Sequence, residues 1–173
     1  EQNEEKTLSC DKKDGDFSLL THQKIVRDYI NLNTPYRGLL LYHGLGSGKT
    51  CSSIAIAEGI KNKNKIIVMT PASLRPNYIE ELKKCGDHLY KKNQYWEFIE
   101  INTSSDNNNI EYINSLTKVM GLRSSFVKKN GGVWFVDVNK SKNYESLTNQ
   151  EKESLDMQLN EMIGKKYQFI NYN

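Results

Sequence analysis

Only three cysteines occur among 173 residues, and an odd number cannot all pair. Cys10, Cys51 and Cys85 show neither a CxxC pair nor a Cys/His metal spacing. A disulfide framework and a zinc module are therefore not expected, and free thiols in a reducing compartment are. No apolar run approaches the ~20 residues needed to cross a bilayer, and no signal-peptide pattern opens the chain. Charge of one sign is also missing: 24 basic against 21 acidic residues leave a net +3. That balance neither demands nor excludes a polyanionic partner. Repeats and low-complexity arrays are absent. A soluble, intracellular chain is expected, long enough for one domain with one buried core. Its hydrophobic fraction is low, at 37%, and Lys and Asn carry the polar excess. The chain begins without Met and ends on Tyr172-Asn173, so an excerpt of something longer is expected.

The most informative stretch is Leu39-Leu40-Leu41-Tyr42-His43-Gly44-Leu45-Gly46-Ser47-Gly48-Lys49-Thr50. An apolar run of strand length meets three glycines at alternate positions, then Lys-Thr, then a helix-like run through Ile60. Strand, glycine-rich turn and helix start form a phosphate cradle, in which backbone N–H groups and the positive helix end face an anion. Lys49 is placed to reach the β/γ-phosphates, and the Thr50 hydroxyl to ligate Mg²⁺. A glycine turn can also merely join a strand to a helix, but Gly-Lys-Thr at that junction is uncommon in such turns.

In chain order, residues 1–16 are charged and polar and read as a disordered lead-in. Thr21 is a candidate N-cap for a helix over 22–31, which ends before Pro35. Gly38–Tyr42 reads as a buried parallel strand, 49–60 as a helix and Ile66–Met69 as a second strand closed by Thr70-Pro71. Two such strands joined by a helix make a βαβ unit and a parallel pair. Pro76–Lys84 reads as a helix with Tyr78, Leu82 and Cys85 on one face and Gly86 as its stop. Trp96, Phe98 and Ile101 suggest a third strand, completing an α/β rhythm.

Beyond Thr103 that rhythm loosens. Residues 106–109 read as a loop, and Ile110, Ile113, Leu116 and Met120 as a helix that stops at Gly121. Phe126-Val127 and Val133–Val136 read as a hairpin turning at Asn130-Gly131. Thr148 and Glu151 form a capping-box pattern opening a helix that runs to Gly164, followed by a strand from Tyr167. Residues 104–166 are thus expected to be an insertion or peripheral subdomain.

The loop departs from the commonest phosphate-loop pattern, because His43 stands where a glycine is usual. The spacing His43-x-x-Gly46-x-Gly48-Lys49-Thr50 resembles motif I of superfamily 2 helicases, usually AxxGxGKT. A dinucleotide-binding GxGxxG would need Gly at position 49, and a GTPase would need an NKxD-like segment that this chain lacks. Gln23, within Leu20-Thr21-His22-Gln23, lies where these helicases carry the glutamine that reads adenine. An amide can donate to N7 and accept from the N6 amine, although a solvated helix glutamine would need no such role. Pro71-Ala72-Ser73-Leu74-Arg75-Pro76-Asn77-Tyr78 resembles motif Ia of the SNF2-like branch, commonly PxSLxxNWxxE with Tyr78 for Trp. There the turn and helix start contact the backbone of the tracked strand, although Ser73 and Asn77 could equally be helix caps.

Taken together, Phe17 to Cys85 is similar to the helicases of nucleocytoplasmic large DNA viruses. Phe169-Ile170-Asn171-Tyr172-Asn173 resembles motif Ib of the same family. The resemblance implies an incomplete RecA-like P-loop domain over residues 17–173, of α/β class, a parallel sheet flanked by helices with an inserted helix/β-hairpin region. It implies ATP and Mg²⁺ as ligands, bound by Gln23, His43, Gly44, Leu45, Gly46, Ser47, Gly48, Lys49 and Thr50. Pro71, Ser73, Leu74 and Asn77 would meet nucleic-acid backbone, DNA before RNA. Implied partners are the rest of a helicase polypeptide and the viral transcription machinery. Implied locations are the host cytoplasm, viral factory or virion.

A motor also needs a DExx motif, whose Asp holds Mg²⁺ and whose Glu orients water, and arginines from a second RecA-like domain. Val133-Trp134-Phe135-Val136-Asp137 has the shape, but Val138 stands where the Glu belongs. Asp137 therefore reads as a surface residue. Two expectations remain open: the N-terminal part of a DNA-dependent ATPase, inactive in isolation, or a non-catalytic nucleotide- or nucleic-acid-binding product.

Overall fold

The computed structural model describes residues 18–30, 34–60, 65–101 and 107–172. The polar lead-in expected over 1–16, Cys10 and Phe17 lie outside the described residues. The helices are α1 (Thr21–Tyr29), α2 (Lys49–Ile60), α3 (Arg75–Cys85), α4 (Asn107–Met120), α5 (Ser124–Asn130) and α6 (Asn149–Lys166). The strands are β1 (Ile66–Pro71), β2 (Trp96–Glu100), β3 (Gly132–Val136) and β4 (Tyr167–Tyr172). The class is mixed α/β, with a parallel pair of strands flanked by helices.

Two separate two-stranded sheets replace the single expected one. β1 pairs in parallel with β4, from Ile66 opposite Tyr167 to Pro71 opposite Tyr172. β2 runs antiparallel to β3, from Trp96 opposite Val136 to Glu100 opposite Gly132. The βαβ partner of β1 is therefore β4, reached through a long crossover. Gly38–Tyr42 forms no strand, and Leu40 and Tyr42 stand 85% and 93% exposed. A strand persists only where a neighbour takes its backbone hydrogen bonds, and no described strand lies alongside this run.

Phe126-Val127 is likewise corrected, from a hairpin strand to α5. Asn130-Gly131 ends that helix, with Gly131 left-handed at φ 67° and its N–H bonded to the Lys128 carbonyl. An Asn-Gly pair serves a hairpin turn and a helix C-terminus alike, because both need a positive φ. β3 then finds its partner 36 residues upstream, in the register Trp96–Val136 rather than locally. Asn107–Asn109 belongs to α4 rather than to a loop, and α6 continues past Gly164 to Lys166. In α1, Thr21 is the first helical residue and Leu20 the N-cap. Thr148 caps α6 as its pattern foretold, accepting from the Glu151 amide while Glu151 accepts from the Thr148 amide.

Two apolar clusters hold the molecule. The larger joins Ile54 of α2, Leu82 of α3, Val127, Val133, Ile163 and Tyr167, all essentially inaccessible. The smaller places Trp96 and Trp134 on Leu155 and Leu159 of α6. Side-chain amides close the edges of the antiparallel sheet. Gln158, itself buried, accepts from the Trp134 N–H and donates to its carbonyl, both at 2.8 Å. Asn143 does the same for Trp96 at 2.8 and 2.9 Å. Each pair satisfies two backbone groups that the ladder leaves open. Beside the core, the Lys83 side chain is only 1% exposed, and its ammonium donates to Asp156 at 2.6 Å and Glu80 at 3.0 Å. Lys92 completes the network, 2.8 Å from each carboxylate. This network binds α3 to α6.

The cysteines also differ from expectation. Cys51 and Cys85 form a disulfide between α2 and α3, with Cα atoms 5.8 Å apart. Thirty-four residues separate them in the chain, so no local spacing rule could pair them.

Candidate functional site

The glycine loop is built around two residues with positive φ, Gly46 at 76° and Gly48 at 75°. Side chains rarely tolerate that backbone, so glycine is required at both. At Gly48 a Cβ would also collide with the Gln23 amide nitrogen. Ser47 Oγ donates across the turn to the Gly44 carbonyl at 2.9 Å. The Gly48 carbonyl accepts from the Ser52 amide at 3.0 Å and from the Ser52 hydroxyl at 3.2 Å, pinning the loop to the first turn of α2. α2 begins at Lys49. Amides in a first helical turn have no acceptor within their own helix, and this is where an anion is stabilised.

Lys49 folds back over the loop. Its ammonium donates to the His43 carbonyl at 3.1 Å and to the Gly44 carbonyl at 2.8 Å. A cation held by two neutral carbonyls gains by exchanging them for phosphate oxygens, because the negative charge of the phosphate adds a Coulombic attraction that a carbonyl lacks. Leu45, at the loop tip, is fully exposed. Thr50 is half-buried in the first turn of α2, and its carbonyl accepts from the Ser53 hydroxyl at 2.7 Å.

α1 braces the loop from behind. Gln23 is buried, 2% exposed, and spans two elements. Its carbonyl oxygen accepts from the Leu20 N–H at 2.9 Å, and its amide donates to the Gly48 carbonyl at 3.2 Å. His22 adds a second strut, absent from the sequence expectation. Its Nε2 lies 2.9 Å from the Ser47 carbonyl, and an oxygen that can only accept fixes the proton on that nitrogen. Its ring meets His43 edge-on, with centroids 5.5 Å apart. His43 Nδ1 is buried without a hydrogen-bond partner among the described residues. Twenty-five residues separate His22 from Ser47, and only the adjoining Gln23 could have drawn attention to it.

The second set of expected residues sits on the neighbouring helix. Pro71 closes β1, Ser73 and Leu74 lie in a 3₁₀ turn over Ala72–Leu74, and Asn77 lies in the first turn of α3. Ser73, Leu74 and Asn77 are exposed. No side chain caps α3, whose N-cap is Leu74, so the expected alternative of Ser73 or Asn77 as its N-cap does not hold. α3 is tied to α2 by the disulfide and by Ser53 and Tyr78, whose hydroxyls lie 3.2 Å apart. The loop and the exposed turn thus ride on adjacent, linked helices.

Asp137 follows β3 and lines a cleft with Glu80, Lys83 and Lys84 of α3. Its backbone N–H reaches the Tyr95 carbonyl at 3.1 Å, and its carboxylate accepts from the Asn139 N–H at 3.0 Å and lies 3.6 Å from Lys140. These contacts make it the residue that turns the chain after β3.

The chain is similar to proteins of large DNA viruses. A protein of Acanthamoeba polyphaga mimivirus with the provisional name ATP-dependent RNA helicase is 34% identical over 167 residues, 91% of this chain and 14% of that protein. Another with the same provisional name, from the same virus, is 45% identical over 86 residues, 49% of this chain and 15% of that protein. The termination factor NPH-I homolog of an African swine fever virus isolate is 39% identical over 54 residues, 31% of this chain and 8% of that protein. The chain spans about a seventh of the length of the first two relatives. No family model and no solved structure matches it. No helix among the described residues is long and apolar enough to cross a membrane.

Proposed function

We propose that this chain, a relative of helicases of nucleocytoplasmic large DNA viruses, is the N-terminal portion of a superfamily 2 DNA-dependent ATPase. One observation carries the proposal: Lys49 lies over a loop held open by two positive-φ glycines at the start of α2. A triphosphate would replace the two carbonyls that now hold its ammonium, and the amides of the loop and first turn would take the remaining charge. Thr50 offers a hard hydroxyl oxygen of the kind Mg²⁺ accepts, and Mg²⁺ bound there would neutralise phosphate charge while keeping several waters. Gln23 is the proposed adenine reader. Its amide is buried and bonded to Leu20 and Gly48, so reading adenine requires it to exchange those partners for the base.

Ser73, Leu74 and Asn77, with Pro71, are proposed to meet nucleic-acid backbone through the uncapped start of α3, a contact that ignores base sequence. Residues 17–173 then form part of a RecA-like domain, with 104–166 as its insertion. The largely exposed apolar run at Leu39–Tyr42 supports this, because it has the composition of an interior strand and no neighbouring strand among the described residues. The longer relatives contain enough further chain to supply one. The rest of such a polypeptide, and the viral transcription machinery, are the proposed partners.

ATP hydrolysis by the full-length protein, measured with duplex DNA, single-stranded DNA and RNA in turn, tests the proposal. Turnover should rise at least tenfold with DNA. Stimulation by RNA alone would assign the enzyme to RNA, and binding of MgATP without turnover under any condition would favour the non-catalytic product.

A further inference from the structure

We propose that Cys51 and Cys85 are a reversible thiol–disulfide site, and that its oxidation state sets how firmly the first turn of α2 is held for phosphate. The second clause rests on the nucleotide-binding function proposed above; the first does not. Cys51 directly follows Thr50, in the first turn of α2, and Cys85 is the last residue of α3. Their Cα atoms lie 5.8 Å apart, within the range a disulfide spans without backbone movement.

Both redox states are provided for. Cys51 Sγ lies 3.4 Å from the Glu81 carboxylate, and Cys85 Sγ lies 3.1 Å from the Glu81 carbonyl. In the reduced protein each thiol therefore has an acceptor in place. In the oxidised protein the same positions permit the bond. Neither state leaves a buried polar group unmet, so reduction need not unfold the helix pair. Access exists as well: Cys85, with Gly86, Ala55 and Gly59, lines a surface cleft of about 440 Å³.

The reaction is exchange with a low-molecular-weight disulfide of the glutathione class. The Cys85 thiolate attacks one sulfur of that disulfide, giving a mixed disulfide and expelling one thiolate. The Cys51 thiolate then attacks the Cys85 sulfur, forming the Cys51–Cys85 bond and expelling the second thiolate. The two protein thiols lose two electrons and two protons, and the small disulfide leaves as two thiols. The resulting bond clamps the first turn of α2, whose amides flank the glycine loop, to the last turn of α3. A clamped cradle loses less freedom on binding, so affinity rises.

The test equilibrates the full-length protein in buffers of increasing oxidised to reduced glutathione ratio, quenches with an alkylating agent and maps the peptides by mass. Cys51 and Cys85 should lose alkylation together and yield one linked peptide, 2 Da lighter than the two thiol peptides, reversibly on adding dithiothreitol. Full alkylation of both at every ratio would overturn the site, and so would protection of both without a linked peptide, as a bound metal would give. Oxidation should also raise the melting temperature by roughly 5–10 °C. The Cys51→Ser/Cys85→Ser variant should show no such shift, and an equal shift there would overturn the assignment. MgATP should bind at least threefold tighter to the oxidised form. Equal binding by both forms would overturn the coupling. Binding by neither would overturn the nucleotide function, while the peptide map still decides the thiol site.

Discussion

Replacing Lys49 by alanine is expected to weaken MgATP binding roughly 100-fold or more, because two charge-assisted hydrogen bonds to phosphate are lost, each worth ~1.5–3 kcal/mol. The folded protein should survive the change. Among the described residues the Lys49 ammonium holds only the carbonyls of His43 and Gly44, and the Gly44 contact is exposed to water, which can replace it. The loop keeps its other ties, through Ser47 to Gly44, Gln23 to Gly48 and Ser52 to Gly48. An isothermal titration paired with a circular dichroism melt separates the two effects. Lost affinity with an unchanged melt is the expected result, and undiminished affinity would remove Lys49 from the site.

Asp156→Ala is expected to cost about 3 kcal/mol of stability, because the carboxylate's bonds from the buried Lys83 and from Lys92 are both lost, each worth ~1.5–3 kcal/mol. For a chain of this size that lowers the melting temperature by roughly 6–12 °C. The effect is large because Lys83 is the buried member: among the described residues its ammonium would keep only Glu80, at 3.0 Å, in place of two carboxylates. The network also shapes acid stability. Burial works to raise the Asp156 carboxyl pKa, but hydrogen bonds from Lys83 and Lys92 outweigh it and hold it below its ordinary 3.8. Burial likewise works to raise the Glu80 carboxyl pKa, but hydrogen bonds from Lys92 and Lys83 outweigh it and hold it below its ordinary 4.5. A depressed carboxylate stabilises the fold above its unfolded pKa and loses that contribution as pH falls through its folded one. The wild type should therefore lose stability steadily as pH falls below about 4.5, and Asp156→Ala should lose less over the same range. Parallel pH profiles of the two proteins would contradict the network's role.

Local patterns carried much of this structure in the sequence. α2 follows from the glycine loop that opens it, and α3 and α6 declare themselves through helical spacing and end signals. Thr148 with Glu151 is a self-contained cap, and Gly86 ends α3 at a position where a Cβ would meet the Leu82 carbonyl, so glycine is needed there. The turn and helix start at the glycine loop are equally legible, since Gly46, Gly48 and Lys49 lie within a few residues of one another. Pairings across distance were not. β3 has the same alternation whether it turns back on Phe126 or joins β2, and Asn130-Gly131 serves either outcome. The run Leu39–Tyr42 has the composition of a buried strand but lacks the neighbour that would make it one. The Cys51–Cys85 bridge and the His22–Ser47 contact depend on how α1, α2 and α3 pack, and packing of that kind leaves no spacing rule behind.

Hydrogen exchange of the full-length protein, with and without MgATP, tests most directly whether the glycine loop is the phosphate site. Amides from Gly44 to Ser52 should exchange at least tenfold more slowly with MgATP, and Lys49→Ala should abolish that protection. Unchanged exchange in this segment under saturating MgATP, or protection confined to other parts of the chain, would contradict it.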